Sequence, residues 1–120
     1  MENSTLTTAK TLLVYFSAKD SQSAEELKYA LNYLADISKN EEGFIRYEVF
    51  MSDNNRLDYY VLQTWTGERS LERHLNQNHV LEFAAQCKLM LARPFSIVPL
   101  SMPFKAEWLK PLLTSSIGLN

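Results

Sequence analysis

Thr11 to Ala18 is an apolar, β-branched and aromatic run that stops at the polar cluster Lys19, Asp20 and Ser21, which predicts a buried strand running into a loop. Ser23 and Glu26 then stand at the spacing of a capping box. Behind them Leu27, Ala30, Leu31, Leu34 and Ile37 recur at helical period, so the next element is an amphipathic helix, which Glu41, Glu42 and Gly43 end. Phe44 to Met51 and Leu57 to Trp65 are two β-rich runs joined by Ser52, Asp53, Asn54 and Asn55, whose short polar side chains suit a hairpin. Helical period returns beyond Gly67 with Leu71, His74 and Leu75, breaks at Asn76, Gln77 and Asn78, and resumes with Val80, Phe83, Ala84, Cys87 and Leu91. This predicts one broken helix or two short ones. Pro94 closes it, and Phe95 to Leu100 reads as a last strand that Pro99 pushes to a sheet edge.

The order βαββαβ predicts an α+β, ferredoxin-like fold: a four-stranded antiparallel sheet with both helices on one face. Strand alternation sets Ile45, Tyr47, Val49 and Met51 against Phe44, Arg46, Glu48 and Phe50, and Tyr59, Val61, Gln63 and Trp65 against Tyr60, Leu62 and Thr64. Both faces are substantially apolar while the helices cover one, so a second copy of the chain, in a homodimer, is the simplest cover for the other. The expected organisation is a mobile tail over residues 1–10, the domain over 11–101, and an arm or short helix over 102–120 that carries Trp108, Leu109, Leu112 and Leu113.

At 120 residues and 46% hydrophobic content the chain is sized for one domain with a proper core. Twelve basic and fourteen acidic residues leave a net charge of -2, which calls for neither nucleic acid nor an anionic membrane as partner. Met1 to Lys10 holds no apolar run of the kind a signal peptide needs, and no stretch reaches the roughly 18 apolar residues of a membrane span. One cysteine, Cys87, allows neither an intrachain disulfide nor a thiolate cage, which fits a cytoplasmic setting. There is no glycine-rich phosphate loop to hold a nucleotide cofactor.

The stretch Glu42, Gly43, Phe44, Ile45, Arg46, Tyr47, followed by Tyr59, Val61, Gln63 and Trp65 and then by His74, His79 and Phe83, resembles the antibiotic biosynthesis monooxygenase family. That family's pattern has a Gly opening the second strand, a Glu-x-Trp ending the third, and two His five apart leading to a Phe on the second helix. The resemblance covers roughly Lys10 to Leu100. It implies a dimeric α+β barrel, in which two sheets close on each other and each subunit keeps a pocket between sheet and helices. It also implies one of several chemistries: cofactor-independent oxygenation of quinols and reduced polyketide aromatics, haem degradation, or isomerisation of a small phosphorylated dione. Two departures stand out. Gln63 replaces the pattern's Glu, removing an ionisable group, and Tyr15 stands nearest by strand parity to the first-strand Asn of the haem-degrading branch.

Trp65 offers a flat wall for an aromatic substrate, although a Trp here is as readily core or interface. His74 shares a helical face with Leu71 and Leu75 and so points toward the sheet, where an imidazole can take a phenolic proton near neutral pH; a satisfied core histidine is the plainer alternative. These two are the catalytic candidates. His79 follows Asn78, a good N-cap, and would keep a neutral ring in the first turn of its helix, where an exposed capping role explains it equally well. Tyr15, Tyr59, Gln63, His79 and, by the resemblance, Phe83 are the expected substrate contacts. Two His without a suitably spaced carboxylate make a poor metal site, so no protein-bound metal is expected. The leading reading is a cofactor-independent monooxygenase acting with O2 on a small quinol- or phenol-like aromatic. The alternatives are haem degradation, isomerisation of a small carbonyl compound, and a non-catalytic dimeric module that binds a small aromatic.

Overall fold

In the computed structural model, which describes residues 8–103, the chain runs β1 (Lys10–Ser17), α1 (Ser21–Ser38), β2 (Phe44–Met51), β3 (Asp58–Trp65), α2 (Glu68–Leu75), α3 (Asn78–Met90) and β4 (Ser96–Leu100). Most of the expected tail and of the expected C-terminal arm lies outside the described residues. The four strands form one antiparallel sheet in the order β2-β3-β1-β4. Period-two alternation turns Leu12, Val14 and Phe16 of β1 and Tyr59 and Val61 of β3 to one face. Leu27, Leu31 and Leu34 of α1 and Phe83, Cys87 and Met90 of α3 pack on them as the core. The polar break at Asn76 and Gln77 separates α2 from α3.

Three local expectations are corrected. The first helix begins at Ser21, and its N-cap is Asp20, whose carboxylate accepts from the Ser23 backbone N–H at 2.8 Å; Asp20 supplies the acceptor that the Ser23–Glu26 box was expected to supply. The N-cap position of α3 is Gln77 rather than Asn78, with no side-chain cap hydrogen bond, so His79 still falls in the first turn. The alternation along β2 is also interrupted. Phe44 pairs with Trp65 and Arg46 with Thr64, leaving Ile45 as a bulge. The extra residue inverts side-chain parity before it, so Phe44 joins the helix-side face and sets its ring edge-on to Trp65 at 5.8 Å, while Ile45 is exposed.

The dimeric α+β barrel expected from the family resemblance is corrected to a single open sheet. The sheet is open, with β2 and β4 as its two edges. Strands lie roughly 4.8 Å apart, so edges separated by two intervening strands are on the order of 14 Å apart and four strands do not close on themselves. Pro99 sits on β4, the edge strand, as expected.

Candidate functional site

Between the sheet and α2 and α3 lies a cavity of about 210 Å³. Its walls are apolar: Leu12, Val14 and Phe16 from β1, Val80 and Phe83 from α3, and Phe95 ahead of β4. Three polar side chains break this lining, Tyr47, Gln63 and His74. They are grouped together, because Tyr47 and Gln63 are cross-strand partners and the Tyr47 and His74 rings meet edge-on at 6.0 Å. The cavity is therefore an apolar chamber with one polar end, the usual design of a site that binds a small organic molecule and orients it.

His74 closes that end. It sits in the last turn of α2, is 2% exposed, and stacks on the indole of Trp65 at 4.4 Å. Its Nδ1 lies 3.0 Å from Glu41 Oε1, and the other oxygen, Glu41 Oε2, lies 3.1 Å from His79 Nε2. A carboxylate only accepts, so both imidazoles donate to it. This assigns His74 the Nδ1–H tautomer and leaves its Nε2 lone pair as the basic atom. A neutral imidazole oriented by a carboxylate is the arrangement general-base histidines require.

Glu41 is held by backbone geometry. Its N–H donates to the Ser38 carbonyl at the end of α1, and its carbonyl accepts from the Phe44 N–H that opens β2. Between them Gly43 turns the chain at φ +85°, and its carbonyl accepts from Thr66 at the end of β3. A left-handed residue at this point suits glycine, and the turn presents Glu41 to both helices of the second helical segment. Position 63 lacks a carboxylate, but the site does not, because Glu41 brings one from a different element.

Burial pushes the His74 imidazole below its ordinary pKa of 6.5; the Glu41 carboxylate pulls the other way and the neighbouring His79 adds to the lowering. The ring is thus neutral at neutral pH. An unfolded chain takes up a proton at the ordinary pKa while the folded chain refuses it until lower pH. The stability this neutral ring contributes is therefore complete above about pH 6.5 and lost as pH falls through the folded value. We expect the midpoint of thermal unfolding to fall between pH 7 and pH 5 by less in His74→Asn than in the natural protein; equal falls would contradict the assignment. Burial, with Glu41 adding to it, also raises the Tyr47 phenol well above its ordinary value, so it stays a proton donor. Burial pushes the Cys87 thiol up to about 12, which keeps it inert.

Of the residues expected at the site from sequence, His74, Gln63 and Phe83 line the cavity. Trp65 does not: it is fully buried behind His74, and its Nε1–H donates to Gln63 Oε1 at 2.8 Å. His79 stands outside, on the far oxygen of Glu41, and Tyr59 is packed in the core near Phe16. Tyr15 is on the opposite face of the sheet, 5.2 Å from the Tyr60 ring and accepting from Arg93 at 3.1 Å. Two residues that sequence reading passed over enter instead. Glu41 had been read as the end of a helix, and Tyr47 as one of the alternating residues of the second strand; Gly43, two residues on, was the one sequence signal that the backbone turns sharply near Glu41.

No group of three or more His, Cys, Asp and Glu suited to a metal ion occurs among the described residues, and no helix there is long and apolar enough to cross a membrane. The cavity volume of about 210 Å³ is below the roughly 300–1,000 Å³ of sites for drug-sized ligands, so a haem would enter only with the walls moved apart.

Residues 11–86 match the model of the antibiotic biosynthesis monooxygenase family. Among solved structures, PA3566 from Pseudomonas aeruginosa is 26% identical, with a TM-score of 0.74 over 82% of this chain and 98% of its own. Rv0793 from Mycobacterium tuberculosis is 18% identical, with a TM-score of 0.75 over 82% of this chain and 99% of its own. SnoaB from Streptomyces nogalater, a cofactor-independent oxygenase solved as a point variant, is 15% identical, with a TM-score of 0.70 over 82% of this chain and 96% of its own. At those identities the last two share the fold. Among curated protein sequences no relative matches.

Proposed function

Because the chain belongs to the antibiotic biosynthesis monooxygenase family, we propose that it is an oxidoreductase that oxygenates a small phenol- or quinol-like aromatic with O2, using the substrate's own electrons. The observation that carries this reading is the Glu41–His74 pair at the polar end of an otherwise apolar cavity. An apolar cavity of roughly 150 Å³ takes a benzene ring. One of about 210 Å³ therefore suits one ring or two fused rings rather than a long polycycle.

In the proposed cycle His74 Nε2 removes the phenolic proton, and Glu41 stabilises the imidazolium that results. The electron-rich anion passes one electron to O2, and the substrate radical and superoxide then combine through a new C–O bond. The peroxide anion recovers a proton from His74 as hydroperoxide. Loss of water from that species turns the ring carbon that now bears H and OOH into C=O, so a ring C–H of the phenol is replaced by C=O, with one oxygen of O2 in the product and the other in the water. Tyr47 and Gln63 supply donors to the oxyanion. Trp65 holds the plane of His74 by stacking on it.

Oxygen uptake by metal-free protein with a panel of one-ring and two-ring quinols and phenols tests this. Stoichiometric O2 consumption with the appearance of a carbonyl product is expected. A folded protein that consumes no O2 with any of them, but shifts a proton on a small carbonyl compound, would replace this reading with isomerisation.

A further inference from the structure

The Gln63 side chain is 4% exposed, yet only one of its two polar atoms is used among the described residues. An indole nitrogen can only donate, so the atom 2.8 Å from Trp65 Nε1 is the amide oxygen. That contact settles the direction of the amide. The NH2 group is then the part of the side chain left to line the cavity, beside Tyr47 and His74. Unlike Ser38 Oγ and Asp58 Oδ1, which are buried without a partner, this NH2 keeps accessible surface, so it is a donor that a ligand acceptor in the cavity can engage.

We propose that Gln63 is a specificity-determining residue that selects ligands bearing a hydrogen-bond acceptor, a carbonyl or an oxyanion, at the His74 end of the cavity. The inference rests on the cavity being the substrate site, as proposed above. It goes beyond that reading in making Gln63 the residue that decides which ligands the cavity accepts. A carboxylate at position 63 would accept from Trp65 and accept again from the ligand, so it would favour a hydroxyl and repel a carbonyl. The amide reverses this. With His74 Nε2 as an acceptor and Gln63 and Tyr47 as donors, the polar end is matched to a compound that carries a hydroxyl and a ring carbonyl together, on a skeleton of one or two rings.

The test is binding rather than turnover, so that it stands apart from the oxygenase reading. 1-Tetralone and tetralin share a two-ring skeleton and differ by one carbonyl; neither carries a phenolic proton for His74 to remove. Calorimetric titration of both into the natural protein, Gln63→Met and Gln63→Glu is compared. Loss of one neutral hydrogen bond should weaken 1-tetralone about tenfold in Gln63→Met, and more in Gln63→Glu, with tetralin changing less than about twofold in either. Gln63→Glu should also bind 1-naphthol relatively better. Equal changes for both bicyclic ligands would show that Gln63 acts only through packing and would overturn the proposal. So would unchanged affinities, or a failure of 1-tetralone to bind the folded natural protein. Specific loss for the ketone with no oxygen uptake on any substrate would uphold the recognition role and remove the oxygenase.

Discussion

His74→Ala is expected to lower kcat by about 10²–10⁴-fold, the usual contribution of a positioned general base. The variant loses the imidazole that lines the cavity and stacks on Trp65. Glu41→Gln should lower kcat by about 10²-fold while leaving KM within a few-fold, because Glu41 touches His74 and is not part of the cavity wall. Its amide can present NH2 to Nδ1 and so favour the tautomer with the proton on Nε2, which cannot act as a base. The double variant should be no slower than His74→Ala, since Glu41 acts through His74. Steady-state rates on protein shown to be folded by circular dichroism decide this. A Glu41→Gln enzyme with natural kcat would mean that the pair is a structural contact.

Gly43→Ala should destabilise the fold by about 3 kcal/mol, the sum of the cost of a left-handed backbone for a residue with a side chain and of an overpacked contact. Gly43 has φ +85°, and an added Cβ would collide with the Ser70 Cβ and lie 2.7 Å from both Ser70 Oγ and Thr66 Oγ1. The two neighbours have little room to give, because Ser70 is buried and its hydroxyl accepts from the Gly67 N–H at the start of α2. A loss of that size is a large share of the roughly 5–15 kcal/mol that holds a domain together. Gly67→Ala is the matched control. Its φ of -176° is ordinary extended backbone and a Cβ there meets nothing within 4 Å, so its cost should stay below about 1 kcal/mol. Urea unfolding of the three proteins measures both values, and similar midpoints for the two variants would refute the account. Since the Gly43 turn also delivers Glu41, any folded fraction of Gly43→Ala should be slower at turnover as well.

Much of this architecture was legible in the chain itself. Alternation along β1 and β3 and the helical stripe of Leu27, Leu31 and Leu34 identify the buried faces, since each is a repeat over two to four residues set by backbone geometry. The same periodicity turned His74 toward the sheet, and the spacing of Trp65, His74, His79 and Phe83 within that order pointed to the family. The Ile45 bulge was not legible, because one unpaired residue leaves no mark on a run of apolar residues.

What only the tertiary structure decided is who meets whom. Glu41 stands 33 residues before His74 and 38 before His79, and no local pattern joins them. Their contact exists because Gly43 reverses the backbone against the end of β3 while α2 and α3 pack across the same corner. Likewise the indole of Trp65 points to the helix side, as alternation requires, but packing puts His74 in front of it, so the imidazole and not the indole faces the cavity. Pro99 announced β4 as one edge of the sheet, while the structure shows β2 as the other. Backbone periodicity is encoded within a few residues and can be read from them; the meeting of distant side chains depends on the packing of whole elements and has to be seen.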